Sequence, residues 1–216
     1  NSRQRIFNCL FICLLCSIHA RGIMSSSSDD SEECSWVSKL LNSPYGKYLC
    51  KVDLDYIRDK FNITYLERDV TNFRKAYSII VDSDSEDLDD EFADEAIQLY
   101  GLIHARFILT PAGLLKMYSM FKEKRFGTCP RIMCENCPVL PVGLSDRPGK
   151  SQVHVYCPRC RDIYIPSKDN DEYFVDGAWI GTSFPHFLLQ TYKDLPFNKE
   201  PNKYVPKIFG FKLLEK

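Results

Sequence analysis

The chain reads as an α+β protein: an α-helical N-terminal domain, a small antiparallel β domain organised by cysteine pairs, and an extended C-terminal tail. Three observations predict this. Apolar residues recur at three- and four-residue spacing between Tyr56 and Phe121, short β-branched and aromatic runs flank paired cysteines between Cys129 and Ile165, and Pro196, Pro201 and Pro206 break the remainder. The expected divisions are a leader over 1–23, an acidic serine-rich arm over 24–34, the helical domain over 35–124, the cysteine-rich domain over 125–182, and a short helix with a tail over 183–216.

Composition bounds the function. A chain of 216 residues with 44% apolar content can bury the core of one domain or two small ones, and a net charge of −1 gives no general pull toward nucleic acid or anionic membrane. Charge is uneven: residues 82–95 are acidic, and the C-terminal stretch is rich in lysine. Ten cysteines would suit a disulfide scaffold in a shorter secreted chain, but here five of them cluster between Cys129 and Cys160, which points to metal in a reducing compartment. The first 23 residues have the outline of a signal peptide, with Arg3 and Arg5 ahead of a short apolar run. Met24 opens a new composition, so 1–23 is read as translated upstream sequence or a gene-model artefact, too short for a secure membrane span.

The elements follow in order. The polar tract 25–33 lacks apolar periodicity and is expected to be a disordered arm. Asp53 can cap a helix through Phe61, with Tyr56, Ile57 and Phe61 inward; a second helix over 70–81 would bury Phe73, Tyr77 and Ile80. A long helix over 89–109 carries Phe92, Ala96, Leu99, Ile103 and Phe107 on one stripe, its acidic start favoured by the helix dipole. Thr110-Pro111 starts another helix, to Lys122, with Leu114, Leu115, Tyr118 and Phe121 apolar. Residues 153–156 and 163–165 read as strands, 141–149 as loop, and 184–192 as a short helix.

Cys129-x4-Cys134, a 22-residue spacer and Cys157-x2-Cys160 offer two thiolates from each of two tight turns, the requirement of a tetrahedral zinc site. Pro130 and Pro158 stiffen those turns. Cys134-Glu-Asn-Cys137 is itself a knuckle, and spacing alone leaves Cys129 and Cys137 both open as the fourth ligand. Either set closes the tetrahedron, so the zinc is structural, contributing on the order of 10–16 kcal/mol to folding and leaving no position for substrate. Two disulfides are the competing use of four such cysteines.

No catalytic set stands out. His104 on the long helix reads as a packed, hydrogen-bonded residue. Ser183, His186 and Asp194 supply the residue types of a hydrolase triad, but without a Gly-x-Ser-x-Gly elbow; phosphate loops, dinucleotide fingerprints and kinase motifs are also missing from the sequence. The acidic run 82–91 lacks the order of a calcium loop and reads as a solvated segment or a docking surface for basic ligands. Phe209 and Phe211 alternate about Gly210, which suits insertion of both rings into a partner's groove or folding back onto the chain.

Tyr100-Gly-Leu-Ile-His-Ala-Arg106, Cys129-Pro-Arg, Pro141-Val-Gly-Leu-Ser-Asp146, Tyr156-Cys-Pro-Arg-Cys160, Asp176-Gly-Ala178, Gly181-Thr-Ser-Phe-Pro-His186 and Phe209-Gly-Phe-Lys212 together resemble the regulatory β subunits of the protein kinase casein kinase II. The likeness runs in register from Trp36 to Lys212. It implies a non-catalytic subunit of cytoplasm and nucleus that forms a homodimer through a zinc ribbon and holds two catalytic kinase subunits in a heterotetramer, modulating substrate choice. It selects Cys129, Cys134, Cys157 and Cys160 as ligands and leaves Cys137 as an extra thiol. It maps kinase-subunit docking to Phe209 and Phe211, and binding of polyamines or basic substrates to Asp84, Glu86, Asp87, Asp89, Asp90 and Glu91. It maps autophosphorylation to Ser26 and Ser27, each with a carboxylate three residues on at Asp29 and Asp30.

The chain departs from the family at Ser38-Lys-Leu-Leu41, where relatives carry another tryptophan and a Phe-Cys pair. It departs again at Lys47 and Lys51, which flank a segment more acidic in relatives, and at Tyr77, which replaces the leucine of a destruction box begun at Arg74. The rival reading is a zinc-ribbon adaptor for nucleic acid or transcription, using Arg131, Arg147, Lys150, Arg159 and Arg161; the acidic first domain opposes it.

Overall fold

Helix-forming stripes in the first half pack against each other and against a 3-10 turn that follows a three-stranded sheet in the second. The computed structural model describes residues 35–81, 90–166, 175–193, 202 and 204–213. The leader, the arm with Ser26 and Ser27, and the acidic positions Asp84, Glu86, Asp87 and Asp89 lie outside the described residues.

Ser35 caps α1 (Trp36–Asn42), its hydroxyl accepting from the Ser38 amide at 3.2 Å. The next helix, α2 (Leu54–Arg58), is shorter than the expected 53–61. Asp59 ends it by taking the Phe61 amide on its own carboxylate at 2.9 Å, a side-chain bond that competes with the helical ladder. Ile57 is buried and Tyr56 sits edge-on to Phe107, but Phe61, expected inside, is 82% exposed. Asp53 does not cap with its side chain, because Lys116 Nζ binds that carboxylate at 2.6 Å.

α3 (Phe73–Val81) starts three residues later than the expected 70, after Asn72 at φ +54°. Ala76, Ile79 and Ile80 are its buried residues; Phe73 and Tyr77 stack on one another at its margin. A 3-10 turn, Asp90–Phe92, leads into α4 (Ala93–Phe107); across the two, the predicted stripe Phe92, Ala96, Leu99, Ile103 and Phe107 is buried throughout. α5 (Pro111–Lys122) has the bounds its start signal predicted, with Thr110 Oγ1 accepting from the Gly113 amide at 3.2 Å. Leu114 and Phe121 are buried as expected, whereas Leu115 is 57% exposed and Met117 and Met120 fill the core instead.

The sheet is antiparallel in the order β1 (Leu140–Val142), β2 (His154–Tyr156), β3 (Ile163–Tyr164). β2 and β3 fall on the predicted strands; β1 was expected to be loop. Pro141 there pairs with Val155 from an edge strand, where its missing N–H costs no ladder bond to a further neighbour. α6 (Phe184–Thr191) packs on β1, and Tyr192 just beyond it stacks on Tyr118 of α5 with ring centres 4.0 Å apart.

One buried apolar cluster runs from Val37 through the helices to Leu188. Gly101 of α4 faces Trp179 in the 3-10 turn Gly177–Trp179; a Cβ on Gly101 would lie 2.3 Å from the indole. Beside it, the fully buried His104 accepts from the Cys50 amide at Nε2 (3.1 Å) and faces the Trp179 carbonyl with Nδ1 (2.8 Å). The tail closes as a small hairpin, β4 (Lys207–Ile208) with β5 (Phe211–Lys212), and its two turn residues, Phe209 and Gly210, have φ of +48° and +86°.

Candidate metal centre

Two hairpin turns supply the cysteines. In the first, the Cys129 amide bonds the Cys137 carbonyl at 2.8 Å and the Cys137 amide bonds the Cys134 carbonyl at 3.0 Å. A 3-10 turn, Ile132–Cys134, and left-handed Glu135 and Asn136 carry the chain round. In the second, between β2 and β3, the Arg161 amide bonds the Cys157 carbonyl at 2.8 Å and the Cys157 amide bonds the Asp162 carbonyl at 3.0 Å. The amides of Arg159 and Cys160 also point at the Cys157 sulfur.

The sulfurs of Cys129, Cys134, Cys157 and Cys160 all lie within 4.8 Å of one another. Zn–S bonds of about 2.3 Å in a tetrahedron set its edges at about 3.8 Å. Cys129 Sγ and Cys160 Sγ are 3.8 Å apart, so the donor set fits zinc in size and chemistry. All six described cysteines are free thiols, against the disulfide alternative. The structure therefore brings together the four sulfurs that the resemblance selected. Cys137, the other candidate, is outside that mutually close set, and its thiol donates to the Pro138 carbonyl at 3.5 Å.

Electrostatics divide the thiols. A hydrogen bond from Cys137 pulls Cys157 down to about 4, against the opposing effect of burial. Burial pushes Cys134 up to about 11 and raises Cys129 further. Bound zinc would hold all four as thiolates.

Three neighbours escaped the sequence reading. The Tyr164 hydroxyl lies 3.1 Å from Cys160 Sγ. Arg159, read as a surface cation, is mostly buried; Nη1 donates to the Cys134 carbonyl at 2.9 Å and pairs with Glu135 at 3.1 Å. Asn202 in turn donates to the other Glu135 oxygen at 2.6 Å, tying the tail to the first knuckle. Only the tyrosine four residues after Cys160 left a trace in the sequence; the other contacts depend on turns that spacing does not define.

The remaining candidates are dispersed. Phe209 and Phe211 are 97% and 79% exposed, so neither ring folds back onto the chain. Phe209 occupies the turn rather than a strand, so period-two alternation does not apply to the pair. Glu91 is exposed in the 3-10 turn before α4, the one acidic-run side chain among the described residues. Ser183 and His186 share no hydrogen bond, His186 is exposed, and Asp194 lies outside the described residues. Of the cations proposed for nucleic acid, Arg159 is engaged as above and Arg131 faces Asp162 at 3.9 Å.

The family model described as casein kinase II regulatory subunit matches residues 35–212. The chain is 47% identical over 197 residues to casein kinase II subunit beta of Dictyostelium discoideum, covering 88% of this chain and 73% of that protein. It is 44% identical over 195 residues to casein kinase II subunit beta of Schizosaccharomyces pombe, covering 88% and 84%. Against casein kinase II subunit beta' of Drosophila melanogaster it is 43% identical over 189 residues, covering 85% and 86%.

Proposed function

The chain belongs to the family of casein kinase II regulatory subunits, which is non-catalytic, and on that premise we propose that it captures catalytic kinase subunits through its C-terminal hairpin and pairs with a second copy through its cysteine-rich unit. The observation that carries the reading is the match over 35–212, which takes in the metal-fitting cysteines and the exposed hairpin together. Phe209 and Phe211 offer two solvent-facing rings on a hairpin whose backbone is already paired, so docking has little main-chain entropy to overcome. Ile132 (89% exposed) and Ile165 (72%) supply apolar surface on the cysteine-rich unit for the second copy. Two copies then present two hairpins, giving a heterotetramer in which the zinc is structural.

Substrate modulation belongs to the same proposal: the acidic run from Asp84 to Glu91 attracts polyamines or basic substrates, and Ser26 and Ser27 accept phosphate from the captured kinase. Cytoplasm and nucleus are the proposed locations. No helix among the described residues is long and apolar enough to cross a membrane.

A titration of the full chain, wild type and Phe209→Ala, against a catalytic casein kinase II subunit tests the docking. Loss of an exposed ring should weaken capture at least tenfold, about 1.4 kcal/mol, with the melting temperature unchanged. Equal affinity of the two proteins would overturn it.

A further inference from the structure

Of the four mutually close sulfurs, only that of Cys160 belongs to a residue that is not buried, and a tyrosine hydroxyl lies against it. The turn between β2 and β3 brings the two together. Arg161 at φ +59° helps reverse the chain, the Cys157 amide closes on the Asp162 carbonyl at 3.0 Å, and β3 runs back beside β2 with Tyr164 opposite Val155. Neighbours along a strand point to opposite faces, so Tyr164 shares the face of buried Val155 while Ile163 turns outward, 48% exposed. The Tyr164 ring packs against the apolar cluster, which holds its hydroxyl 3.1 Å from Cys160 Sγ.

With Cys160 as a thiol, either atom of this pair can be the donor. A sulfur that ligates zinc is a thiolate with no proton to give, so the phenol must donate. Its acceptor then carries ionic charge, and such bonds are roughly twice as strong as neutral ones. We propose that Tyr164 is a positioning residue for the metal centre: its O–H donates to zinc-bound Cys160, fixing the orientation of that ligand and drawing negative charge off the least buried of the four sulfurs. Outer-shell partners of this kind typically govern metal affinity by about tenfold to a hundredfold. The proposal rests on the metal reading of the four cysteines and is independent of kinase capture.

The test uses the full chain with Tyr164→Phe, which removes the hydroxyl and keeps the ring, and with fluorotyrosine in place of Tyr164, which keeps the hydroxyl as a stronger donor. Zinc per chain is measured first, then zinc affinity by chelator competition, and then the sulfur-to-cobalt charge-transfer band after cobalt replaces zinc. A hydrogen bond lowers the sulfur lone pair and so raises the energy of that band. One zinc per chain in all three proteins is expected. Tyr164→Phe should bind it about tenfold to a hundredfold more weakly, with the band moved to lower energy, and fluorotyrosine should move the band to higher energy. Weaker zinc binding by Tyr164→Phe with the band unmoved would make Tyr164 a packing residue, and wild-type affinity would make it a bystander; each result overturns the proposal. Should Tyr164→Phe fail to fold, the fluorotyrosine protein decides alone, and a band that stays at its wild-type energy overturns the proposal. Failure of the wild-type chain to bind zinc at all would instead overturn the metal reading beneath it.

Discussion

Replacing His104 with phenylalanine keeps a ring of similar size in the core and removes two hydrogen bonds at once. The imidazole accepts from the Cys50 amide at 3.1 Å and faces the Trp179 carbonyl at 2.8 Å, so one N–H and one C=O lose their partner in a fully buried place. At about 1–3 kcal/mol for each orphaned group, the loss at neutral pH is about 2–6 kcal/mol. Acid supplies a second signature. Accepting at Nε2 while donating at Nδ1 defines the neutral tautomer; a proton on Nε2 would set two donors face to face. Burial accordingly holds His104 down at about 4 against its ordinary 6.5, and the Trp179 carbonyl only partly offsets it. The unfolded chain thus binds the proton first as pH falls. The contribution of His104 is complete above pH 6.5, falls by about 1 kcal/mol at pH 5.5, and by about 3 kcal/mol at pH 4. Urea unfolding of wild type and His104→Phe, at fixed protein and zinc concentrations and at pH 7.5, 6.5 and 5.5, reads both effects, and the difference between the two proteins removes the part due to acid release of metal. The stability gap should be widest at pH 7.5 and about 1 kcal/mol narrower at pH 5.5. A gap under about 1 kcal/mol at pH 7.5, or one that does not change with pH, would refute the reasoning.

Two further predictions come from the packing and the metal. Gly101→Ala drives a methyl into the Trp179 indole, 2.3 Å away, and should destabilise the chain by about 1–3 kcal/mol in urea titration; an unchanged midpoint would mean that α4 and the 3-10 turn can separate without cost. Stripping zinc with a chelator should release amide-exchange protection across both knuckles and β1 to β3 while α4 and α5 keep theirs, and full protection of the knuckles without metal would contradict a structural role.

Helices were legible where a stripe and a start signal agreed. Thr110-Pro111 marked α5 to the residue, and the α4 stripe is buried as written. Orientation was less legible than existence. Leu115 and Met117 both suit an apolar face by type, and the packing of neighbouring elements decided for the methionine. Phe61 failed because Asp59 ended its helix one turn early. At the metal centre, spacing supplied five thiols and could not rank Cys129 against Cys137, since both lie on one hairpin and only the three-dimensional closure of the turn separates them. Arg159 reaches the centre by side-chain direction, which no spacing rule encodes.

Pro141 has a consequence for how two copies could meet. Strand β1 forms one border of its sheet, and its middle residue carries no amide hydrogen to offer outward. A continuous intermolecular ladder along that border would have a gap at its centre, so assembly by sheet extension is disfavoured there. Any contact between copies along that border would instead rest on side chains, which leaves the border closed to unrelated strands.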